Sequence, residues 1–203
     1  MIKTIFLHGL GQTAQSWDKT LSMLPDNRNV DCVELSQLLE GNVTYDNLYR
    51  NFVEYCKDFP KVHLCGLSLG AVVALHYAID YPEKVQSLIL IAGQYKMPKA
   101  LLKFQNILFR LMPEKAFGSM GFKKEEVISL TKSMMTLDFE QQLQNIHCNV
   151  LLICGEKDHA NRKAAQVMEK CMPKAELHII KGAGHEVNVE RPWQLADEIN
   201  KFL

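Results

Sequence analysis

Short, almost wholly apolar segments recur along the chain, and stretches with apolar residues at helical spacing separate them. Residues 85–92, which read VQSLILIA, are typical of a strand buried on both faces of a parallel sheet. The pattern predicts strands at residues 2–7, 29–35, 61–65, 85–92, 150–154 and 177–180. It predicts helices at residues 15–24, 45–59, 69–81 and 194–202. This alternation, with no hairpin signal between neighbouring strands, predicts a doubly wound, mostly parallel α/β sheet of about six strands.

One connection breaks the alternation. About fifty residues separate the strand at 85–92 from the next one, which is too long for an ordinary link. The segment 95–145 favours helix and is rich in Met, Phe and Leu. We therefore predict a single domain over residues 1–203, with a small helical cap inserted at 95–145. Twelve apolar residues of the cap are candidates for an adaptable acyl pocket, although for any one of them packing within the cap is the simpler interpretation. They are Met97, Leu101, Leu102, Phe104, Leu108, Phe109, Leu111, Met112, Phe117, Met120, Met134 and Met135.

Composition and charge narrow the choice of partners. The chain has 203 residues, of which 47% are hydrophobic and 23% charged, as in ordinary globular proteins. Lys plus Arg and Asp plus Glu both number 23, so the net charge is zero and nothing in that balance attracts nucleic acid or anionic lipid. No apolar stretch reaches the length of a membrane-spanning helix. We therefore predict a small-molecule partner, no nucleic-acid or membrane partner, and a monomer or homodimer.

The pattern of cysteines indicates a reducing cellular compartment. The six of them form no CxxC pair, and Cys65 and Cys154 fall within apolar, strand-like runs. They are interpreted as small buried residues in a reducing environment. The first residues, MIKTIFLHGL, run into a glycine turn and lack the pattern of a cleavable signal peptide. These features predict a cytoplasmic protein.

Residues 66–70 read GLSLG and match G-x-S-x-G, the pattern of a nucleophile on a sharp strand-to-helix turn. The bare pattern also occurs by chance in turns. Here a predicted strand precedes it and a predicted helix follows it, so Ser68 would project from the C-terminal edge of the sheet, where open α/β sheets bind ligands. We therefore predict that Ser68 is a nucleophile.

A serine hydroxyl needs a base within hydrogen-bond reach, and His185 is the best placed of the seven histidines. It lies in a glycine-rich loop directly after the last predicted strand. The base in turn needs a carboxylate that fixes its tautomer. Glu156 and Asp158 both follow the strand at 150–154. Asp158 is predicted to orient His185, and Glu156 is interpreted as a solvated turn residue.

The oxyanion that forms on an acyl oxygen needs donors already in place. We predict the backbone N–H of Leu69, directly after the nucleophile, and that of Leu10, in the loop after the first strand. His8 in the same loop is interpreted as a brace for the loop. This set of residues requires no cofactor and no metal.

The order of the motifs resembles the α/β-hydrolase fold superfamily over nearly the whole chain. The motifs are an HG loop at 8–9, GLSLG at 66–70, GEKD at 155–158 and GAGH at 182–185. The resemblance implies a Ser-Asp-His triad and a helical cap after the sixth of the usual eight strands. The first strand here would correspond to the family's third, so a sheet lacking the first two strands is expected.

The triad and the resemblance predict a carboxylesterase-like hydrolase. It would cleave an ester or thioester of a small, largely apolar acyl group through an acyl-enzyme on Ser68. Two alternatives stay open. The same triad could serve C–C bond hydrolysis, acyl transfer or a lyase step, because the superfamily supports many reactions. A non-catalytic ligand receptor on this fold is the other alternative, and the complete triad disfavours it.

Overall fold

One parallel sheet of six strands forms the centre of the protein, in the order β2-β1-β3-β4-β5-β6. The computed structural model describes residues 2–25, 29–39, 41–118 and 122–203. The strands are β1 (Lys3–Leu7), β2 (Val30–Val33), β3 (Val62–Leu67), β4 (Val85–Ile91), β5 (Asn149–Gly155) and β6 (Ala175–Ile180). The predicted sheet is confirmed, and its strand ends differ from the predicted ones by at most two residues.

The strands are apolar throughout because helices cover both faces of the sheet. Along β4, Leu88 and Leu90 belong to the core on one face, whereas Ile89 and Ile91 belong to the core on the other. The first core packs against α2, α3 and α6, and the second against α1, α7 and α8. These and the remaining helices are α1 (Asp18–Leu21), α2 (Tyr45–Tyr55), α3 (Leu69–Asp80), α4 (Lys99–Leu111), α5 (Lys124–Ser133), α6 (His159–Cys171), α7 (Val187–Glu190) and α8 (Pro192–Phe202). None of the helices in the described ranges has the length and apolar character that a bilayer span would need.

Helix α6 is absent from the sequence-based prediction. It buries only Ala164, Ala165 and Met168, and most of its other residues are polar or charged, so few large apolar residues mark it as a helix in the sequence. Its start is fixed by a polar contact, because the Asp158 side chain accepts a hydrogen bond from the Asn161 backbone N–H at 3.3 Å. Asp158 is also a predicted site residue, so one side chain both caps α6 and belongs to the candidate site.

Between β4 and β5 the chain forms α4 and α5, in the region where the sequence predicts a cap at 95–145. The two ends of this insertion pair with each other. The Met97 N–H donates to the Leu137 carbonyl oxygen at 3.1 Å, and the Phe139 N–H donates to that of Tyr95 at 2.8 Å. Apolar side chains along the insertion are part of the same core as residues of α2 and α3. They are Leu102, Phe117, Val127, Leu130 and Leu143. On this basis we retain the single domain as a proposal.

Candidate active site

Ser68 lies on the turn between β3 and α3. Its backbone has φ 53° and ψ −111°, a positive-φ conformation that is strained for a residue with a side chain. Its N–H donates to the Ile91 carbonyl oxygen at 2.9 Å, which ties the turn to β4. A Cβ on Gly66 would lie 2.3 Å from the Gly70 carbonyl oxygen, and a Cβ on Gly70 would lie 2.3 Å from that of Leu7. Both positions of the motif therefore require glycine, because a side chain at either would overlap the backbone.

His185 and Asp158 meet where β5 and β6 end. His185 Nδ1 lies 2.8 Å from Asp158 Oδ2, and the two side chains are 44% and 5% exposed. Burial by itself would raise the pKa of Asp158, but hydrogen bonds from His185 and Asn161 together outweigh it and hold the pKa below its ordinary value. Asp158 is therefore ionised at neutral pH. A carboxylate there holds the imidazole proton on Nδ1 and leaves Nε2 as an acceptor.

Asn161, in the first turn of α6, supports this pair and was missed by the sequence reasoning. Its Nδ2 lies 2.9 and 2.8 Å from the two Asp158 carboxylate oxygens and 3.2 Å from His185 Nδ1. Gln94, which follows β4, donates from Nε2 to Asn161 Oδ1 at 2.7 Å and so orients the amide. The sequence does contain one indication of its role. Asn161 follows Asp158 by three residues, which is the spacing between a helix N-cap and the residue whose N–H it accepts.

Leu10 and Leu69, the predicted oxyanion donors, line the same cavity as Ser68 and His185. Leu69 is the first residue of α3, where N–H groups have no acceptor within the helix. Within the described residues, the N–H groups of Leu10 and Leu69 donate to no other backbone carbonyl. The arrangement can therefore offer two backbone donors to an oxygen placed next to Ser68.

His8 braces the loop that carries Leu10, as its sequence-based interpretation expects. Its ring is fully buried, with Nδ1 2.9 Å from the Gly9 carbonyl oxygen and Nε2 3.0 Å from both Glu34 Oε1 and the Leu35 backbone nitrogen. The ring is thus held within the protein, and the backbone of the loop is left to line the cavity.

The loops after β1 and β6 are joined by amide side chains. Gln12 Nε2 donates to Glu186 Oε1 at 3.0 Å, and Asn188 Nδ2 donates to Gln12 Oε1 at 3.0 Å. Asn188 is fully buried. Because Glu186 directly follows His185 in the chain, this contact fixes the base relative to the Leu10 loop. Sequence reasoning missed it, since nothing in the motifs pairs residues so far apart.

The two acids after β5 have different partners. Asp158 contacts the His185 ring, whereas Glu156 Oε2 accepts a hydrogen bond from the Gly182 N–H at 2.9 Å. Glu156 is exposed, as predicted, but it also braces the backbone of the loop that carries His185. Gly182 has φ 73°, which suits the tight turn predicted there.

A cavity of about 260 Å³ brings the site residues together. Residues that follow β1, β3, β4 and β6 form one side of it: Leu10, Ser68, Ala92, Gln94 and His185. Residues of the insertion form another side: Met97, Pro98, Leu102, Gln105, Thr131 and Met134. The cavity thus combines an apolar wall with a few amide and hydroxyl groups.

Three of the twelve candidate pocket residues line this cavity, namely Met97, Leu102 and Met134. Four others pack in the core or against it: Phe109, Met112, Phe117 and Met135. Three are exposed: Phe104, Leu108 and Leu111. The Leu101 side chain and Met120 lie outside the described residues.

Residues 4–198 match the family described as the alpha/beta hydrolase family. The chain belongs to this family. Over 98% of its length this alpha/beta hydrolase is 26% identical to a Bacillus subtilis (strain 168) protein that is provisionally named as a 2-succinyl-6-hydroxy-2,4-cyclohexadiene-1-carboxylate synthase, of which it covers 89%. Over 98% of its length it is 24% identical to the Homo sapiens monoacylglycerol lipase ABHD6, of which it covers 74%.

Solved structures show the same fold. The alpha/beta hydrolase superposes on an enol-lactonase from Burkholderia xenovorans LB400 with a TM-score of 0.85 at 14% identity, covering 99% of this chain and 90% of the other. Identity at this level shows the fold alone. Membership of the family supports an enzyme of the hydrolase or lyase type.

Proposed function

We propose that the protein is a carboxylesterase-like serine hydrolase, which cleaves an ester or thioester of a small, largely apolar acyl group. The observation that carries this proposal is the 2.8 Å hydrogen bond between His185 and Asp158, beside a cavity that Ser68 and His185 both line. A serine on a strained turn, a histidine on a separate loop and an ionised carboxylate behind it are the parts that nucleophilic acyl transfer requires.

In the proposed reaction, Ser68 Oγ attacks the acyl carbonyl carbon while His185 Nε2 takes the hydroxyl proton. The N–H groups of Leu10 and Leu69 receive the oxyanion. As the tetrahedral intermediate collapses, the bond from acyl carbon to oxygen or sulfur breaks, and His185 gives its proton to that oxygen or sulfur, which leaves as the alcohol or thiol. A water that His185 deprotonates then attacks the Ser68 ester. The carboxylic acid leaves, and Ser68 recovers its proton.

The cavity supports a small acyl group. Its volume of about 260 Å³ lies just below the usual range for ligand pockets, about 300–1,000 Å³. Val72, Leu102 and the two methionines Met97 and Met134 supply apolar surface, and methionine side chains adapt readily to the shape of a ligand. Gln105, also in the lining, could hydrogen bond to a polar atom of the substrate.

A second candidate reaction is a lyase or synthase step that uses the same triad. The similarity to the Bacillus subtilis protein named as a synthase favours it. In that reaction His185 would act on a carbon-bound proton of the substrate, and no acyl-enzyme would form. The two candidates therefore differ in whether Ser68 becomes acylated.

A fluorophosphonate probe tests the nucleophile directly. We expect it to label the wild-type protein once, at Ser68, and to leave the Ser68→Ala variant unlabelled. Ser87→Ala is the matched control, because Ser87 Oγ also lies 2.7 Å from a histidine, His63 Nδ1, but the pair sits on β3 and β4 away from the cavity lining. Absence of labelling in folded wild-type protein would overturn the hydrolase proposal. Labelling without turnover of p-nitrophenyl esters of rising chain length would favour the lyase step.

Asn161→Ala is expected to lower kcat for such an ester by about 10- to 100-fold, because a hydrogen bond to a charged group contributes about 1.5–3 kcal/mol. The loss follows from the Asn161 amide, which holds both Asp158 oxygens. Asn200→Ala on α8 is the matched control, since the Asn200 amide donates to the Met23 carbonyl oxygen and neither residue lines the cavity. Steady-state kinetics of the two variants provide the check. Equal activity in both would show that Asn161 does not position the acid.

We further propose a cytoplasmic location. All six cysteines fall in the described part of the chain and are free thiols, and Cys56, Cys65 and Cys154 are buried. Free thiols in this number suit a reducing compartment.

A further inference from the structure

Helix α4 carries an apolar stripe that faces solvent. Phe104, Ile107, Leu108 and Leu111 are 58%, 56%, 44% and 78% exposed. Their spacing of i, i+3, i+4 and i+7 places them on one face of the helix. They make up half of the large apolar side chains recorded as exposed among the described residues. A contiguous exposed face of this kind is typical of an interaction surface.

The exposed stripe is not the buried face of α4 turned outwards, because α4 has a separate buried face. On its other side Leu102 and Asn106 are buried, and Leu102 and Gln105 line the cavity beside Ser68. Helix α4 therefore has one face towards the protein and the site, and a second apolar face towards solvent. Burial in the core accounts for the first face only.

The charges on α4 all have one sign. Lys99, Lys103 and Arg110 are exposed, and the helix sequence KALLKFQNILFRL contains no acidic residue. At about 100° per residue the three cations lie together on one flank of the stripe. A fourth cation sits at the end of the helix, where Lys124 Nζ donates to the carbonyl oxygens of Arg110 at 2.6 Å and Met112 at 2.8 Å. The zero net charge of the whole chain conceals this local excess.

We propose that α4 docks on the surface of a bilayer that contains anionic lipid. The stripe would enter the boundary between headgroups and acyl chains, with the cations at the headgroup level, as in helices that lie in the plane of a membrane interface. A second copy of the chain fits the stripe less well, because two α4 helices packed antiparallel through their stripes would place six cations on the same side of the pair, with no acidic residue on either helix. The sequence-based expectation of no membrane partner rested on average charge and on span length, and neither measure detects a surface helix.

Flotation with vesicles tests this proposal and needs no turnover, so its result is independent of the proposed hydrolase activity. We expect the wild-type protein to float at low salt with vesicles of equal parts phosphatidylglycerol and phosphatidylcholine, and much less with phosphatidylcholine alone. Ile107→Gln/Leu111→Gln is expected to weaken binding by about tenfold or more through loss of apolar contact. Lys103→Gln/Arg110→Gln is expected to weaken it by about 25-fold, at about fivefold for each cation, and to reduce its dependence on salt.

The matched control is Val189→Gln/Trp193→Gln, which removes two apolar side chains that are 48% and 67% exposed elsewhere on the surface. It should bind vesicles as the wild type does. Circular dichroism establishes that all variants are folded. Equal binding by the stripe variant and the control would overturn the proposal, as would failure of the wild type to float with anionic vesicles. A wild-type dimer in light scattering that Ile107→Gln/Leu111→Gln converts to a monomer would also overturn it, by assigning the stripe to a second copy.

Discussion

Replacing His185 with alanine is expected to lower kcat for a p-nitrophenyl ester by about 10⁴- to 10⁶-fold. The serine hydroxyl is a weak nucleophile without a base, and His185 is the residue that Asp158 orients at 2.8 Å and that lines the cavity with Ser68. Labelling of Ser68 by a fluorophosphonate should slow in the same variant, since the probe also requires an activated hydroxyl. Because the His185 side chain is 44% exposed, its removal should leave the fold intact.

His178→Ala provides the matched control for this variant. His178 lies on β6 close in sequence to His185, and its Nδ1 contacts Glu198 Oε2 at 2.6 Å. That pair lies outside the cavity lining, so its loss should change kcat by less than about threefold. Added imidazole should partly restore activity to His185→Ala, because the site is open to solvent there. A His185→Ala variant that keeps a tenth or more of the wild-type rate would contradict the role of His185 as the base.

The sheet could be predicted because burial on both faces leaves a simple signal. Strands β3, β4 and β5 are apolar at nearly every position, as is typical of strands buried on both faces of a parallel sheet. Helix α6 could not be predicted in the same way, since it depends on two alanines, one methionine and a polar contact at its start. A polar segment with so few large apolar residues is difficult to distinguish from a loop.

Some residues of the candidate site could likewise be predicted from the sequence, and others could not. Ser68 and His185 could be proposed from sequence because steric demands at Gly66, Gly70 and Gly182 leave a visible pattern of glycines around them. The contacts of Asn161 and of the Gln12–Asn188 pair leave no such pattern, because an amide side chain can bond with almost any neighbour that the fold supplies. Positioning residues of this kind become visible only when the distances between loops are known.

Asp158→Asn is expected to lower kcat by about 10⁴-fold while leaving the protein folded. Asn161 Nδ2 points at both Asp158 oxygens, so an asparagine at 158 would turn its own oxygen towards Asn161 and its NH₂ towards His185. The His185 Nδ1 would then have to accept a hydrogen bond, and the imidazole proton would move to Nε2. With Nε2 protonated, His185 could not take the proton of Ser68.

The fold should tolerate this change because asparagine caps a helix about as well as aspartate, and position 158 caps α6. Thermal unfolding of Asp158→Asn should therefore stay close to that of the wild type, which assigns the lost activity to chemistry. Glu156→Gln is the control: its remaining amide oxygen can still accept from the Gly182 N–H, so the rate should fall by less than about threefold. If Glu156→Gln proved the more damaging of the two, the acid that orients His185 would be Glu156, and the contact between Asp158 and His185 would have to be attributed to the capping of α6 alone.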